Sequence, residues 1–133
     1  MFALHPRLAA DTVTLADWPL CRVLLMNDSN YPWLILVPRR AGVSEITDLA
    51  AGDQPVLMAE IARASARLRT LTSPDRINVA ALGNMVPQLH VHVIARFTTD
   101  AAWPRPVWGV VANAPYAPEA LERRVAELWA TLD

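Results

Sequence analysis

A single long amphipathic helix pattern interrupts a chain that otherwise shows the patterns of short strands. Its apolar residues recur at steps of four, three, four and three: Leu57, Ile61, Ala64, Leu68 and Leu71. That spacing places them on one stripe of a helix of about five turns. We predict that Asp53 caps this helix, that Pro55 occupies its first turn, and that it ends at Ser73-Pro74-Asp75.

Short apolar or alternating segments flank this helix and predict five strands, three before it and two after it: 12–15, 20–26, 33–37, 77–82 and 88–97. The third lies between Pro32 and Pro38 and is apolar throughout, which is typical of a strand covered on both faces. A terminal helix is predicted to begin near Pro118. Since the connections are of hairpin length, we expect one α+β domain over residues 1–133, with a five-stranded antiparallel sheet, one long helix and a C-terminal helix.

Composition excludes several classes of protein. With 53% hydrophobic and 19% charged residues, the chain is not a disordered tail. A net charge of -1 provides no field that would attract nucleic acid or an anionic membrane. The single cysteine, Cys21, excludes an internal disulfide and suits a reducing compartment. No apolar stretch approaches the ~18 residues of a membrane span, and no basic leader precedes Asp11, so a cytoplasmic protein is expected.

Two of the three histidines, His90 and His92, lie in the last predicted strand. Because alternate residues of a strand share a face, these rings and Gln88 are expected to point the same way. The apolar residues between them are expected to pack against the long helix: Leu89, Val91 and Val93. Burying unpaired imidazoles and an amide costs on the order of 1–3 kcal/mol each, so the polar row is expected to meet something polar.

Three explanations of this row stay open on the residues alone. The rings could be satisfied core residues. They could bind a metal, because His-x-His on a strand presents two nitrogens to one ion, but no third ligand stands at a recognisable spacing among His5, Asp100 and Cys21. One imidazole could instead act as a nucleophile in covalent catalysis.

The string 88–94 resembles the signature of the histidine triad (HIT) family, His-φ-His-φ-His-φ-φ, where φ is apolar. The likeness extends from Leu20 to Trp108 and includes the Gly83-Asn84 loop before the motif and the Trp103-Pro104 pair after it. The resemblance implies a HIT-like fold. It also implies a hydrolase or nucleotidyl transferase that cleaves at the α-phosphate of a dinucleoside polyphosphate, a nucleoside phosphoramidate or an adenylated conjugate.

The resemblance assigns a role to each motif residue. His90 matches the middle histidine, the nucleophile that forms a nucleotidyl-histidine and whose tautomer is fixed by a main-chain carbonyl. His92 matches the last histidine, which donates to phosphate oxygens. Gln88 replaces the first histidine and is interpreted as an orienting amide that cannot titrate.

Three asparagines correspond to substrate contacts of the family. Asn27 follows the second strand, where members of the family carry a residue that contacts the ribose. Asn78 matches a polar residue that contacts the phosphates or sugar. Asn84 takes the place of a glutamine in the loop before the motif. Asn27 and Asn84 also have a purely structural explanation as turn formers.

The chain departs from the family pattern at two further positions. Met85 stands where many relatives carry a serine near the leaving group, and Trp33 stands where relatives often have a histidine. These departures leave open the group that protonates the leaving atom. Met85, together with Gln88 in place of the first histidine, also supports an alternative function, a nucleotide-binding or interaction module with little or no catalysis.

The resemblance also implies partners. It predicts a purine nucleotide substrate and a homodimer of two sheets paired edge to edge, in which the loop after the motif reaches the neighbouring site. Trp103 is the predicted partner-subunit contact, with Trp108 in the same loop, and the alternative is a loop that packs on its own domain. No cofactor and no metal ligand from the protein is expected, although the substrate can arrive with Mg²⁺.

Overall fold

The computed structural model describes residues 1–131 and contains five strands: β1 Thr12–Asp17, β2 Cys21–Met26, β3 Trp33–Pro38, β4 Arg76–Ala80 and β5 Val91–Arg96. They form one sheet in the order β1-β2-β3-β5-β4. Every neighbouring pair is antiparallel. The predicted α+β class and antiparallel sheet are therefore confirmed.

The helices are α1 Pro6–Asp11, α2 Asp53–Thr72 and α3 Pro118–Thr131, with a 3-10 turn at Ile46–Asp48. The predicted long helix and terminal helix are present. Gly52, rather than Asp53, precedes the first turn of α2, and the Asp53 carboxylate pairs with Arg40 at 2.8 Å instead of capping the helix. Ser73 ends α2 in the left-handed conformation, with φ of 49°. None of the helices in the described part of the chain is long and apolar enough to cross a membrane.

The short helix α1 was not predicted from the sequence. It has six residues, too few to show a helical hydrophobic period. His5 stabilises the first turn of α1, because its Nδ1 accepts a hydrogen bond from the Arg7 N–H at 3.1 Å. A helix this short is marginal in isolation, so the packing of its buried residue, Leu8, against the rest of the fold contributes to its stability.

One face of the sheet packs against α2 and α3. The apolar stripe of α2 meets alternate residues of the β5 segment, as predicted, in one buried cluster that includes Leu57, Ile61, Ala64, Leu68, Leu89, Val91 and Val93. Glu60 is the buried carboxylate on this side of α2, and it accepts the main-chain N–H of Leu20 at 3.0 Å and of Cys21 at 2.8 Å. These hydrogen bonds hold the middle of the helix to the start of β2.

The opposite face of the sheet is covered by α1 and by the loop after β5. Its buried cluster contains Leu8, Leu24, Trp33, Ile35, Ile94, Ala102 and Val107. Trp33, Ile35 and Ile94 alternate with residues of the helix-side cluster, as the period of a strand requires. The two histidines of the motif lie on this second face.

The β5 segment enters the sheet three residues later than predicted. The predicted strand began at Gln88, whereas β5 begins at Val91. The Leu89 N–H donates to the main-chain oxygen of Val43 at 3.0 Å instead of to a neighbouring strand. A contact with the distant β3–α2 connection therefore decides where the strand begins.

A buried ion pair organises the loop after β5. Arg96 forms two hydrogen bonds to Asp100, at 2.7 and 3.0 Å, and the two side chains are 2% and 4% exposed. Asp100 also accepts the main-chain N–H groups of Phe97, Ala102 and Trp103. The loop that continues to Trp108 is thus held to the end of β5.

The pKa of Asp100 shows the strength of this network. Burial by itself raises the pKa of Asp100. The hydrogen bonds from Arg96 and from the main-chain N–H groups lower it by more than burial raises it, so the pKa is about 2 instead of the ordinary 3.8. A carboxylate with a lower pKa in the folded than in the unfolded state stabilises the fold at neutral pH. That contribution is lost as the pH falls through the folded value.

We therefore predict that Asp100→Asn makes the unfolding free energy depend less steeply on pH below about pH 5. In the unmodified protein the Asp100 contribution to the unfolding free energy, about 2 kcal/mol, is present above roughly pH 5 and disappears between there and pH 2. Urea unfolding measured at several pH values gives the two curves. Parallel curves for the two proteins would contradict the assignment.

Candidate functional site

His90 and His92 form a pair of buried rings on the face of the sheet opposite α2. Their centroids are 4.9 Å apart, and they are 7% and 6% exposed. Both line a cleft of about 220 Å³ between α1, the loop before β5 and the loop after it. The other walls are mainly apolar and include Leu8, Met26, Trp33, Ile35, Leu82, Val86 and Trp108.

The His90 ring is oriented by the main chain of its own segment. Its Nδ1 lies 2.7 Å from the main-chain oxygen of Gln88. A carbonyl oxygen only accepts hydrogen bonds, so Nδ1 carries the proton and donates it. In the neutral ring the opposite nitrogen, Nε2, then has a free lone pair. The predicted fixing of the tautomer by a main-chain carbonyl is present in this geometry.

The His92 ring lies in an aromatic environment. The Trp33 indole N–H donates to its Nδ1 at 3.1 Å. The ring centroid is 5.6 Å from that of Trp33 and 5.0 Å from that of Trp108. Burial, with a smaller contribution from the neighbouring His90, lowers the pKa of His92 to about 4. His92 is therefore neutral at physiological pH.

A second cleft of about 150 Å³ adjoins the first at His90. It lies between the β3–α2 connection and the loop before β5, and its lining includes Ser44, Glu45 and Thr47. Three residues line both clefts: Leu82, Gly83 and His90. The His90 ring thus lies where the larger, mainly apolar cleft meets the smaller cleft, whose lining includes residues with hydroxyl and carboxylate groups.

Gln88 does not use its side chain on the two rings. Its Oε1 accepts the His5 main-chain N–H at 2.8 Å, and its Nε2 donates to the main-chain oxygen of Ala3 at 2.8 Å. The amide therefore orients the N-terminal segment that leads into α1. The orientation of His90 comes from the Gln88 main chain, which any residue type would provide.

Of the three predicted asparagines, the structure brings Asn84 to the cleft wall. The Asn27 side-chain oxygen instead accepts the Tyr116 N–H at 2.9 Å. That of Asn78 accepts a hydrogen bond from Arg96 at 2.8 Å. Within residues 1–131, neither of these two lines either cleft. Their amides hold elements of the fold together, so the structure does not support direct substrate contacts for them.

The tryptophans of the loop after β5 occupy different positions. The Arg96 guanidinium lies over the Trp103 ring, with its central carbon 5.9 Å from the ring centroid. A cis peptide bond joins Trp103 to Pro104. Trp108 packs against His92 and Trp33 of its own chain while 38% exposed. The contact of Trp103 with a second subunit stays a prediction.

Sequence reasoning missed the cleft wall formed by α1. Arg7, Leu8 and Asp11 line the larger cleft, and Arg7 lies 4.0 Å from Asp11. The sequence signal for this wall is weak, because only Pro6 and the His5 cap mark so short a helix. Helix α1 also lies far from the motif along the chain, and only tertiary contacts such as the hydrogen bonds of Gln88 to His5 and Ala3 connect the two.

The residues considered as a third metal ligand lie in separate places. His5 caps α1, Asp100 pairs with Arg96, and Cys21 is buried beside Glu60. Burial, together with that carboxylate, raises the pKa of the Cys21 thiol. Among the described residues, no group of three or more His, Cys, Asp and Glu side chains could hold a metal ion.

We predict that Gln88→Leu loosens the N-terminal segment. Losing two hydrogen bonds lowers the local opening free energy by about 1–2 kcal/mol, so amide exchange at Leu4 to Leu8 should accelerate roughly tenfold. Gln88→Glu keeps the acceptor for His5 but loses the donor to Ala3, and its effect should be intermediate. Hydrogen exchange followed by mass spectrometry measures both, and unchanged exchange in Gln88→Leu would show that the Gln88 side chain does not hold this segment.

Comparison with known proteins identifies the family of the chain. A family model described as the HIT domain matches residues 7–99. A histidine triad protein from Bradyrhizobium japonicum is 49% identical, with a TM-score of 0.96 over 99% of this chain and 98% of that chain. One from Marinobacter aquaeolei is 50% identical, with a TM-score of 0.96 over 99% and 96%. One from Sinorhizobium meliloti is 43% identical, with a TM-score of 0.94 over 98% and 97%. No curated protein sequence matches the chain. The family match covers more than half of the sequence, and the chain therefore belongs to the HIT domain family.

Proposed function

We propose that this protein binds a purine nucleotide derivative and cleaves it at the α-phosphate through a nucleotidyl-histidine on His90. One observation carries the proposal. The Nδ1 of His90 lies 2.7 Å from the Gln88 main-chain oxygen and donates its proton to it, which leaves the lone pair of Nε2 for attack in a ring that lines a cleft.

In the first step, His90 Nε2 forms a bond to the α-phosphorus, and the bond from phosphorus to the leaving oxygen or nitrogen breaks. The leaving group takes the electron pair of that bond and a proton from solvent. The ring becomes cationic while it keeps its proton on Nδ1. The Gln88 main-chain oxygen accepts that proton in a hydrogen bond and so favours the charged intermediate.

In the second step, water attacks the α-phosphorus, loses a proton to solvent, and displaces the imidazole. The nucleoside monophosphate leaves, and His90 regains its lone pair. If an alcohol or a phosphate replaces water, the same chemistry is a nucleotidyl transfer. The protein supplies no cofactor in this scheme, and Mg²⁺ enters only with the phosphates of the substrate.

His92 is the neighbouring group that can stabilise charge on the phosphoryl oxygens. Its ring is 4.9 Å from that of His90, and it is neutral at physiological pH because burial lowers its pKa to about 4. A buried donor that is fixed before the reaction stabilises developing negative charge more effectively than water does. In this scheme the apolar cleft receives the purine, with Trp108 and Asn84 at its wall, and the adjoining cleft receives the leaving group.

The His90 assignment predicts a specific loss. His90→Ala should abolish both the covalent adduct and turnover of an adenosine phosphoramidate, because no other group supplies the nucleophile. Intact-mass spectrometry detects an adenylated protein, and calorimetry measures AMP binding to the same variant. Met58→Ala, an exposed change on α2, is the matched control and should behave like the unmodified protein.

The possible results separate the proposed enzyme from the alternative module. Undiminished hydrolysis by His90→Ala would end the nucleophile assignment. AMP binding by the unmodified protein without adduct or turnover would favour the non-catalytic module.

We also propose that the active form is a homodimer. The edge strands of the described sheet are β1 and β4, and paired edges would continue the sheet into a second subunit. Light scattering should then give a mass of about twice 14.7 kDa. A monomer mass at micromolar concentration would contradict this assembly.

A further inference from the structure

The two nitrogens of His92 have different surroundings. Nδ1 receives the indole N–H of Trp33 at 3.1 Å. An indole nitrogen only donates hydrogen bonds, so the Nδ1 that receives it must offer a lone pair. A neutral imidazole carries one proton, which is then on Nε2. This is the opposite arrangement to that of His90, where Nδ1 carries the proton.

The Trp33 indole is held firmly where it makes this hydrogen bond. The side chain is 5% exposed and stands at the start of β3, directly opposite Ile94 of β5. Its ring packs edge to face against Tyr31, at 6.2 Å between centroids, and against Trp108 at 5.9 Å. Rotating the indole away would therefore open a void in the cluster that covers this face of the sheet.

We propose that Trp33 is a positioning residue that holds His92 in the tautomer with its proton on Nε2. One ring of the pair then offers a lone pair and the other offers a proton. In the reaction proposed above, on which this role depends, the Nε2 proton of His92 is the one donated to a phosphoryl oxygen. Trp33 does not reach the reacting atoms in this scheme and acts on them through His92, while its ring also forms part of the wall of the cleft that receives the purine.

Two physical features make an indole suited to this role. It does not titrate, so the hydrogen bond to Nδ1 keeps the same direction across the physiological pH range. It also opposes a second proton on His92. If Nδ1 were protonated, its N–H and the indole N–H would point at each other, and neither would have an acceptor. Burial acts in the same direction by lowering the pKa of His92. His92 is thus a neutral donor beside the proposed nucleophile.

Nitrogen-15 NMR of the histidine rings tests the tautomer without any substrate. In the unmodified protein at neutral pH, His92 should show an unprotonated Nδ1 and a protonated Nε2, and His90 the reverse pattern. A His92 proton on Nδ1 would overturn the proposal. This measurement requires no variant, so it decides the question even if substitutions at Trp33 prevent folding.

Two substitutions separate the indole hydrogen bond from aromatic packing. Trp33→Phe keeps a ring but removes the donor, and the His92 signals should change to a mixture of both tautomers. Trp108→Phe alters the second tryptophan that packs against His92 and should keep the Nε2-protonated form. A Trp33→Phe spectrum identical to that of the unmodified protein would show that the indole does not control the tautomer.

A double-mutant cycle tests whether Trp33 acts through His92 during turnover of an adenosine phosphoramidate with a fluorescent amine leaving group. Trp33→Phe should lower kcat roughly tenfold with a smaller change in KM, and His92→Ala should lower kcat roughly 100-fold. In the His92→Ala background, Trp33→Phe should have no further effect. A full tenfold effect in that background would overturn the positioning role.

Absence of turnover in the unmodified protein would instead refute the proposed function, and the NMR result would still decide the tautomer.

Discussion

Burial of two imidazole rings 4.9 Å apart is the constraint on which this site depends. A buried imidazole needs a hydrogen-bond partner, and two adjacent rings cannot both carry charge at low cost. The fold meets both requirements with groups that do not titrate, the main-chain oxygen of Gln88 and the indole of Trp33. The same two hydrogen bonds that satisfy the buried rings also determine which nitrogen of each ring carries a proton.

The surrounding fold keeps these partners in place from both sides of the sheet. On one side, alternate residues of the β5 segment are locked into the core beneath α2. On the other, the Arg96–Asp100 pair fixes the start of the loop that returns Trp108 to the His92 ring. The hydrogen bonds of Gln88 tie down the segment before α1. Each of these cleft walls is therefore attached to the segment of chain that carries the two histidines, which favours a site formed before substrate binds.

Regular elements with a strong period were predictable from the sequence. The apolar stripe on α2 and the alternation along β5 both reflect a buried face, and each needs only local residues to be recognised. Helix α1, the Gly52 cap and the late start of β5 were not predictable in this way. Each depends on a contact with another segment, such as the Leu89 N–H donating to the main-chain oxygen of Val43.

The sequence by itself determined the fold class, the family and the pair of histidines on one face, because periodicity and a compact motif are local properties. Only the tertiary structure decided what the polar side chains do. Gln88 finds its partners at the N-terminus, Asn27 and Asn78 hold the fold together, and Trp33 reaches a histidine 59 residues away. A hydrogen-bond donor can bind any acceptor that packing brings within about 3 Å, and spacing along the chain does not specify which one that is.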